Sequence, residues 1–183
     1  MNKIFEELKE KCKSTLKETS KDEREEGKIG FLTDLEKECI NFDKLKEEYI
    51  KQNKITCDFP SSVDALLEFN NELYLIEFKN MKYEDIENDK KKKFEIKKKV
   101  YESLLILLDL IDRTISFSRL KISFILVYKY DSLSSYEQNR IVRRNELANG
   151  RICNFGLESF KNIYFKDIRT LTKELFENFI ENL

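Results

Sequence analysis

A predicted β-hairpin between residues 63 and 79 constrains the fold of this chain more than any other feature. The segments 63–69 and 72–79 are short and rich in apolar β-branched and aromatic residues, which is typical of strands. Asn70 and Asn71 separate them, and asparagine tolerates the left-handed backbone conformation that tight hairpin turns require. We therefore predict two antiparallel strands joined by a two-residue turn.

The register of this hairpin brings charged side chains together. A two-residue turn pairs Asp64 with Glu77, so both carboxylates lie on one face with Cβ atoms about 5 Å apart. Lys79 lies on the same face, because alternate residues of a strand point the same way. Facing carboxylates repel each other beside apolar neighbours, and a hard divalent cation with oxygen ligands relieves that repulsion. The pattern indicates a metal-dependent hydrolytic site in which Lys79 assists an attacking water.

Two alternatives are open for the same residues. A three-residue loop would change the register and place Asp64 and Glu77 on opposite faces of the hairpin. An ordinary hairpin, in which Glu77 and Lys79 form a solvent-exposed ion pair, would also produce this pattern of charges. The metal-site interpretation therefore depends on the structural context of the three residues.

Hydrophobic periodicity predicts the other helices and strands. Helices are predicted over residues 1–20, 33–52, 83–112, 136–149 and 172–183. The near-continuous apolar run 121–130 predicts a strand buried on both faces, residues 162–166 predict a short strand, and the polar run 19–28 predicts a loop.

Length and apolar content indicate a single domain of the α/β class. The chain has 183 residues, of which 40% are hydrophobic, and this is enough for one sizeable core. We expect N-terminal helices over residues 1–52, a central core over residues 55–130, and a C-terminal strand and helix over residues 131–183.

The absence of histidine narrows the chemistry that the chain can perform. Without an imidazole base, it lacks the Ser-His-Asp and Cys-His means of activating a nucleophile. Histidine-ligated zinc centres are excluded for the same reason. Hydrolysis would depend on carboxylates, lysine, tyrosine or a hard metal ion. Because the sequence shows no apolar signal segment and no run of about 20 apolar residues, we expect a cytoplasmic protein with no membrane partner.

The spacing Asp-x(12)-Glu-x-Lys, in the segment VDALLEFNNELYLIEFKN, resembles the PD-(D/E)XK nuclease superfamily. That superfamily includes restriction endonucleases, Holliday-junction resolvases and RecB-type nucleases. The resemblance covers roughly residues 35–130 and implies a restriction-endonuclease-like mixed β-sheet flanked by helices, with an N-terminal helical segment. It also implies that Asp64 and Glu77 bind Mg²⁺ or Mn²⁺, that Lys79 assists the water, and that the substrate is a nucleic acid, DNA in preference to RNA.

Other motifs of the superfamily are matched in part. Many RecB-like members carry Gln-x-x-x-Tyr on the next helix, and Lys97 and Tyr101 stand at that spacing with lysine in place of glutamine. Some members use an acidic residue of the preceding helix, for which Glu36 and Glu38 are both candidates. The proline of the motif is displaced, because Pro60 is not adjacent to the aspartate.

Two basic clusters flank the predicted site. Lysines are concentrated at residues 90–93 and 97–99, and arginines at residues 140–151. A solvated helix surface is the simpler explanation of such charge runs, but phosphate contacts at these positions would hold a nucleic acid. We expect contacts with the nucleic-acid backbone from Lys93, Lys97 and Arg143, and no base-specific readout.

The same scaffold also permits a function without catalysis. Small proteins of phages or mobile elements use nuclease-like folds to bind or inhibit nucleic-acid-processing machines, and a fold does not fix a function. Lysine in place of glutamine at position 97 favours this alternative, in which the partner would be a protein. A homodimer is consistent with either function, because duplex cleavage commonly needs two active sites.

Overall fold

The computed structural model describes residues 3–25, 28–129 and 153–183. Its helices are α1 (Lys3–Lys11), α2 (Leu16–Thr19), α3 (Phe42–Gln52), α4 (Tyr83–Glu87), α5 (Lys90–Leu110), α6 (Ile115–Lys121) and α7 (Lys173–Glu181). Its strands are β1 (Lys13–Thr15), β2 (Lys21–Glu25), β3 (Lys28–Phe31), β4 (Glu38–Asn41), β5 (Ala65–Phe69), β6 (Glu72–Lys79), β7 (Ile122–Tyr128) and β8 (Asp167–Thr172). Within these ranges, no helix combines the length and apolar character that crossing a bilayer requires. The helix predicted over residues 136–149, which would carry Arg143, lies outside the described residues.

A six-stranded mixed sheet has the strand order β1-β4-β5-β6-β7-β8. The strands from β1 to β6 pair antiparallel, whereas β6, β7 and β8 pair parallel. A parallel pair needs a crossover connection, and α4, α5 and α6 provide it between β6 and β7. β2 and β3 form a separate antiparallel pair. This arrangement confirms the predicted α/β class with a mixed sheet flanked by helices.

The hairpin of β5 and β6 has the predicted register. Leu66 pairs with Leu75, as a two-residue turn requires. Asn70 and Asn71 both have left-handed backbone angles, with φ of 48° and 60°. Two consecutive residues of this kind are characteristic of a type I′ turn. The alternative of a three-residue loop is therefore excluded.

Apolar side chains cover both faces of the sheet. All seven residues of β7 are buried. On one face, Val100 and Leu104 of α5 share a core with Phe124. On the other face, Phe176 of α7 shares a core with Ile125. Successive residues of β7 thus alternate between two cores, which confirms the strand that was predicted to be buried on both faces.

The first 31 residues contain strands where helix and loop were predicted. The helix predicted over residues 1–20 ends at Lys11 and is followed by β1 and the short α2. The loop predicted over residues 19–28 contains β2, which pairs with β3 through a register shift between Asp22 and Glu25. Both predictions were wrong because these polar segments are ordered by pairing with other strands, which local periodicity does not detect.

The helix predicted over residues 33–52 was wrong in its first half. Cys39 and Ile40 belong to β4 and lie in opposite cores, which is the geometry of a strand and not of a helix. Asn41 ends the strand and caps α3, because its Oδ1 accepts a hydrogen bond of 3.0 Å from the backbone N–H of Lys44. The apolar spacing of the segment fits a helix, but burial against both faces of the sheet selects the strand.

Two further boundaries differ from the predictions. The helix predicted over residues 83–112 divides into α4 and α5, because the Asp89 carboxylate caps α5 by accepting the backbone N–H of Lys91 at 2.8 Å. The strand predicted over residues 162–166 was wrong. Asn162 has a left-handed φ of 62° and donates its N–H to the carbonyl of Phe165 at 2.9 Å, so this segment is a turn and β8 follows it.

Candidate functional site

The three residues of the predicted metal site meet at the open end of the hairpin. Asp64 directly precedes β5, and its N–H donates to the carbonyl of Ile76, the partner of Ala65, at 3.1 Å. Glu77 and Lys79 are in the last three residues of β6. The backbone N–H of Phe78, between them, donates to Oδ2 of Asp64 and so orients that carboxylate toward β6. The hairpin therefore brings both acids to the same end of the sheet, although the regular pairing of β5 with β6 ends at Ala65 and Ile76, one pair before the predicted pair of Asp64 with Glu77.

Glu77 is a fully buried carboxylate with two lysine partners. Its side chain is 0% exposed, and a buried charge of this kind is stable only when it is paired and hydrogen-bonded. Lys79 Nζ lies 2.9 Å from Oε1 of Glu77. Lys99 Nζ, which comes from α5, lies 2.8 Å from Oε1 and 3.1 Å from Oε2. The alternative of an exposed Glu77–Lys79 surface pair is thus excluded.

Lys99 also connects Glu77 to the second acid. Its Nζ is 3.8 Å from Oδ1 of Asp64, whose side chain is 19% exposed. One ammonium group therefore lies within ion-pair distance of both carboxylates. Oxygen atoms of Asp64 and Glu77 thus face the same ammonium nitrogen, at 3.8 Å and 2.8 Å.

The pKa values of these groups are displaced by their surroundings. Burial and the neighbouring charge of Glu77 raise the pKa of the Asp64 carboxyl well above its ordinary value of 3.8, and Lys99 only partly opposes this. Burial acts to lower the pKa of the Lys99 ammonium, but the charges of Glu77 and Asp64 outweigh it and raise that pKa. Two carboxylates in this arrangement favour positive charge beside them.

A polar pocket of about 190 Å³ opens beside Asp64, Lys79 and Lys99. Its opposite wall comes from the N-terminal region, with residues 19–22 and Leu32. Asn80, directly after β6, joins the two walls by donating its side-chain amide to the carboxylate of Asp22. Sequence reasoning did not anticipate this wall, because residues 19–28 were predicted to be a loop.

The segment before Asp64 is held by two side chains of α5. Ser103 of α5 accepts the backbone N–H of Val63 at 2.9 Å, and both residues are buried. Glu102 accepts the N–H of Ser61 at 2.7 Å. Ser103 lies one helical turn after Lys99, so the same face of α5 supplies a counter-ion for the acids and an anchor for the segment that carries Asp64.

The donor set fits a hard divalent cation of the magnesium type. No group of three or more His, Cys, Asp or Glu side chains suited to a metal occurs among the described residues, which does not favour a closed all-protein cage. Mg²⁺ is commonly bound by one or two carboxylates, with waters and substrate phosphate oxygens as the other ligands. Asp64 and Glu77, converging beside an open polar pocket, match that pattern.

Lys93 and Lys97, which were expected to contact nucleic acid, have protein neighbours in the structure, and so does Tyr101. Lys93 Nζ lies 3.5 Å from Oε1 of Glu87. Lys97 Nζ lies 5.8 Å from the ring centroid of Phe160, and Tyr101 packs on the same ring with centroids 4.5 Å apart. Lys97 and Tyr101 thus face the C-terminal region and do not line the polar pocket described above. The third backbone-binding candidate, the arginine at position 143, is outside the described residues.

Lys99 is the residue of α5 that sequence reasoning missed. It is two positions after Lys97, and two helical positions differ by about 200° around the axis, so the two side chains point to opposite sides. The match to Gln-x-x-x-Tyr selected position 97 by spacing alone. The signal in the sequence was the four-residue spacing that places Lys99 on the same side of α5 as Ser103, but no local pattern distinguishes one lysine from its neighbours in so basic a segment.

The two candidate acids of the preceding segment lie away from the pocket. Glu36 is 62% exposed and pairs with Lys17 at 2.8 Å, and Glu38 is 73% exposed and lies 3.6 Å from Lys13. An acid closer to the site is Asp43, in the first turn of α3. Burial and the charge of Glu77 are the main causes of the raised pKa of Asp64, and the charge of Asp43 raises it further. It was missed because α3 begins at residue 42 and not at residue 33.

Comparison of this chain with models of protein families, with curated proteins and with solved structures found no match in any of the three.

Proposed function

We propose that this chain is a metal-dependent nuclease of the PD-(D/E)XK type, with a restriction-endonuclease-like core, that hydrolyses phosphodiesters of nucleic acid and acts on DNA in preference to RNA. The observation that carries this proposal is the convergence of Asp64 and Glu77 on one point. Lys79 and Lys99 stand beside that point, and a polar pocket opens next to it. Carboxylate oxygens for a cation and ammonium groups for a phosphate are what phosphodiester hydrolysis needs.

In this proposal each residue has a distinct role. Asp64 and Glu77 would hold Mg²⁺ or Mn²⁺, which would supply Lewis-acid polarisation of the phosphate and a more acidic bound water. The backbone N–H of Phe78 fixes the orientation of Asp64. Lys79, 20% exposed at the pocket, would orient the attacking water and stabilise negative charge that develops on the phosphate. Cleavage of a duplex would favour a homodimer with two such sites.

Cleavage assays with a matched lysine control test this proposal. Single- and double-stranded DNA and RNA are incubated with the wild-type chain in Mg²⁺, in Mn²⁺ and with chelator. We expect metal-dependent cleavage that Lys79→Ala reduces by at least about 100-fold, because it removes a preorganised charge at the reacting phosphate. Folding should persist, because Lys99 still neutralises Glu77 in that variant. Lys51→Ala, an exposed change on α3, should cut as the wild type does. Equal cleavage by Lys79→Ala and wild type would refute the mechanism.

One observation favours the second candidate function, a non-catalytic nuclease-fold protein that binds or inhibits a nucleic-acid-processing partner. Glu77 already pairs with two ammonium groups of the same chain, and one of them also reaches Asp64, so the acids have cationic partners without a metal ion. Thermal unfolding in increasing Mg²⁺, with a phosphorothioate oligonucleotide present, separates the two functions. A cation at 100 times its dissociation constant stabilises a protein by about 2.7 kcal/mol. For a chain of this size that is a rise in melting temperature of about 5–10 °C, whereas the binding protein should show none.

A further inference from the structure

Lys99 occupies the place between the acids that a cation would need. Its Nζ is 2.8 Å and 3.1 Å from the two oxygens of Glu77 and 3.8 Å from Oδ1 of Asp64. A cation that binds both carboxylates competes with this ammonium for the same oxygen atoms. The lysine side chain is a flexible four-carbon stem, so its charged end can move to a new partner without a change in α5.

With both acids ionised, the formal charges of the site sum to zero before any ligand binds. Two carboxylates, Asp64 and Glu77, face two ammonium groups, Lys79 and Lys99, within the distances given above. Adding a divalent cation leaves two positive charges without partners in a site where Glu77 is fully buried. Unpaired charge in such surroundings is costly. Phosphate groups of a nucleic acid carry the negative charge that restores the balance.

We propose that Lys99 couples the binding of the divalent cation to the binding of phosphodiester, by leaving the carboxylates for the phosphate when the cation enters. This inference rests on the proposed nuclease function and assigns Lys99 as a positioning residue of the same site. Cation and nucleic-acid backbone bind weakly alone and strongly together. By linkage, each ligand raises the affinity for the other by the same factor.

Isothermal titration calorimetry of Mg²⁺ into the full chain measures this coupling. The titration is done alone, with a charged phosphorothioate oligodeoxynucleotide, and with an uncharged methylphosphonate oligomer of the same sequence. For the wild type we expect the phosphorothioate to raise the affinity for Mg²⁺ by about tenfold or more, within the usual range of coupling between two sites. The methylphosphonate should leave the affinity unchanged, because it carries no charge to balance the cation.

Lys99→Met removes the competing ammonium and keeps an unbranched side chain of similar length. We expect this variant to bind Mg²⁺ about tenfold more tightly than the wild type without oligonucleotide, and the gain from phosphorothioate to fall below about threefold. A defect in folding would weaken the binding of Mg²⁺. Tighter binding by the variant would therefore show that the competing ammonium group of Lys99 has been removed. Lys99→Gln is the second variant and should behave in the same way. Lys51→Met, the same chemical change on α3, should match the wild type.

The outcomes distinguish the inference from the proposed function. A wild type that cleaves DNA and binds Mg²⁺ equally well with and without charged oligonucleotide overturns the inference and leaves the nuclease function standing. Lys99→Met with the coupling of the wild type also overturns it. A wild type that neither cleaves nor binds Mg²⁺ under any of these conditions removes the proposed function and the inference together.

Discussion

The two acids of the site should respond in opposite ways when their charge is removed. Glu77→Gln takes away the acceptor of two lysine ammonium groups, at 2.9 Å from Lys79 and at 2.8 Å and 3.1 Å from Lys99. Asp64→Asn removes a like charge beside Glu77 and keeps a side-chain oxygen to accept the N–H of Phe78. We therefore expect Glu77→Gln to destabilise the protein and Asp64→Asn to stabilise it slightly.

The magnitudes follow from burial and pairing. Removing one partner of a buried ion pair costs about 3–5 kcal/mol. Because Lys79 and Lys99 are 20% and 26% exposed and can be partly hydrated, the lower end of about 3 kcal/mol applies to Glu77→Gln. Relief of a facing like-charge pair in Asp64→Asn is worth about 0.5–1 kcal/mol. At about 2–4 °C per kcal/mol, the melting temperature falls by about 6–12 °C in the first variant and rises by about 1–4 °C in the second.

Thermal unfolding followed by circular dichroism, with chelator present, measures both shifts. Glu47→Gln, a change of the same kind at an exposed position of α3, should stay within about 0.5 kcal/mol of the wild type and serves as the control. A Glu77→Gln variant as stable as this control would show that the buried ion-pair network does not hold the site together. A destabilised Asp64→Asn variant would show that repulsion between the acids is not what the geometry implies.

Three further predictions concern pH, the anchor on α5 and the turn. Because the folded pKa of Asp64 is raised, ionising its carboxyl opposes folding. The gain in free energy of unfolding from Asp64→Asn should therefore vanish below about pH 3.8 and grow as the pH rises above it. Chemical unfolding of both proteins across pH measures this gain. An advantage that is the same at every pH contradicts this. Ser103→Ala leaves the buried N–H of Val63 without its acceptor, so it should lower the free energy of unfolding by about 1–3 kcal/mol and also slow cleavage. The control is Ser116→Ala, at an exposed position, which should change the free energy of unfolding by less than about 0.5 kcal/mol. Asn71→Val forces a β-branched residue into a left-handed conformation and should cost about 1–2 kcal/mol in urea unfolding; an unchanged midpoint would contradict the type I′ turn.

The hairpin and its acids were predictable because their signal is local. Asn70 and Asn71 define the turn, and a two-residue turn determines every pair along β5 and β6, up to the pair of Ala65 with Ile76 beside the two acids. The buried strand β7 was predictable for a similar reason, since a continuous apolar run is sufficient. In both cases neighbours in sequence carry the information.

The parts that sequence reasoning missed depend on distant contacts. β4 contains Cys39 and Ile40 at spacing that also fits a helix, and only the sheet on both sides selects the strand. Lys99 is one of many lysines on α5, and what distinguishes it is its place on the side of α5 that contacts Glu77 and Asp64. Asp22 reaches the pocket wall through a β2–β3 pair that polar composition does not reveal. Tertiary packing overrides local preference at each of these positions.

The strand that carries Glu77 is hydrogen-bonded along both edges, to β5 on one side and to β7 on the other. Amide protons in such a strand exchange with deuterated solvent only when the sheet itself opens. Slow exchange at the amides of this strand that bond to β5 and β7 would mean that Glu77 is held by the most persistent part of the molecule. A ligand arriving at this place would meet a rigid support, and the adjustment it needs would come from the long lysine side chains alone.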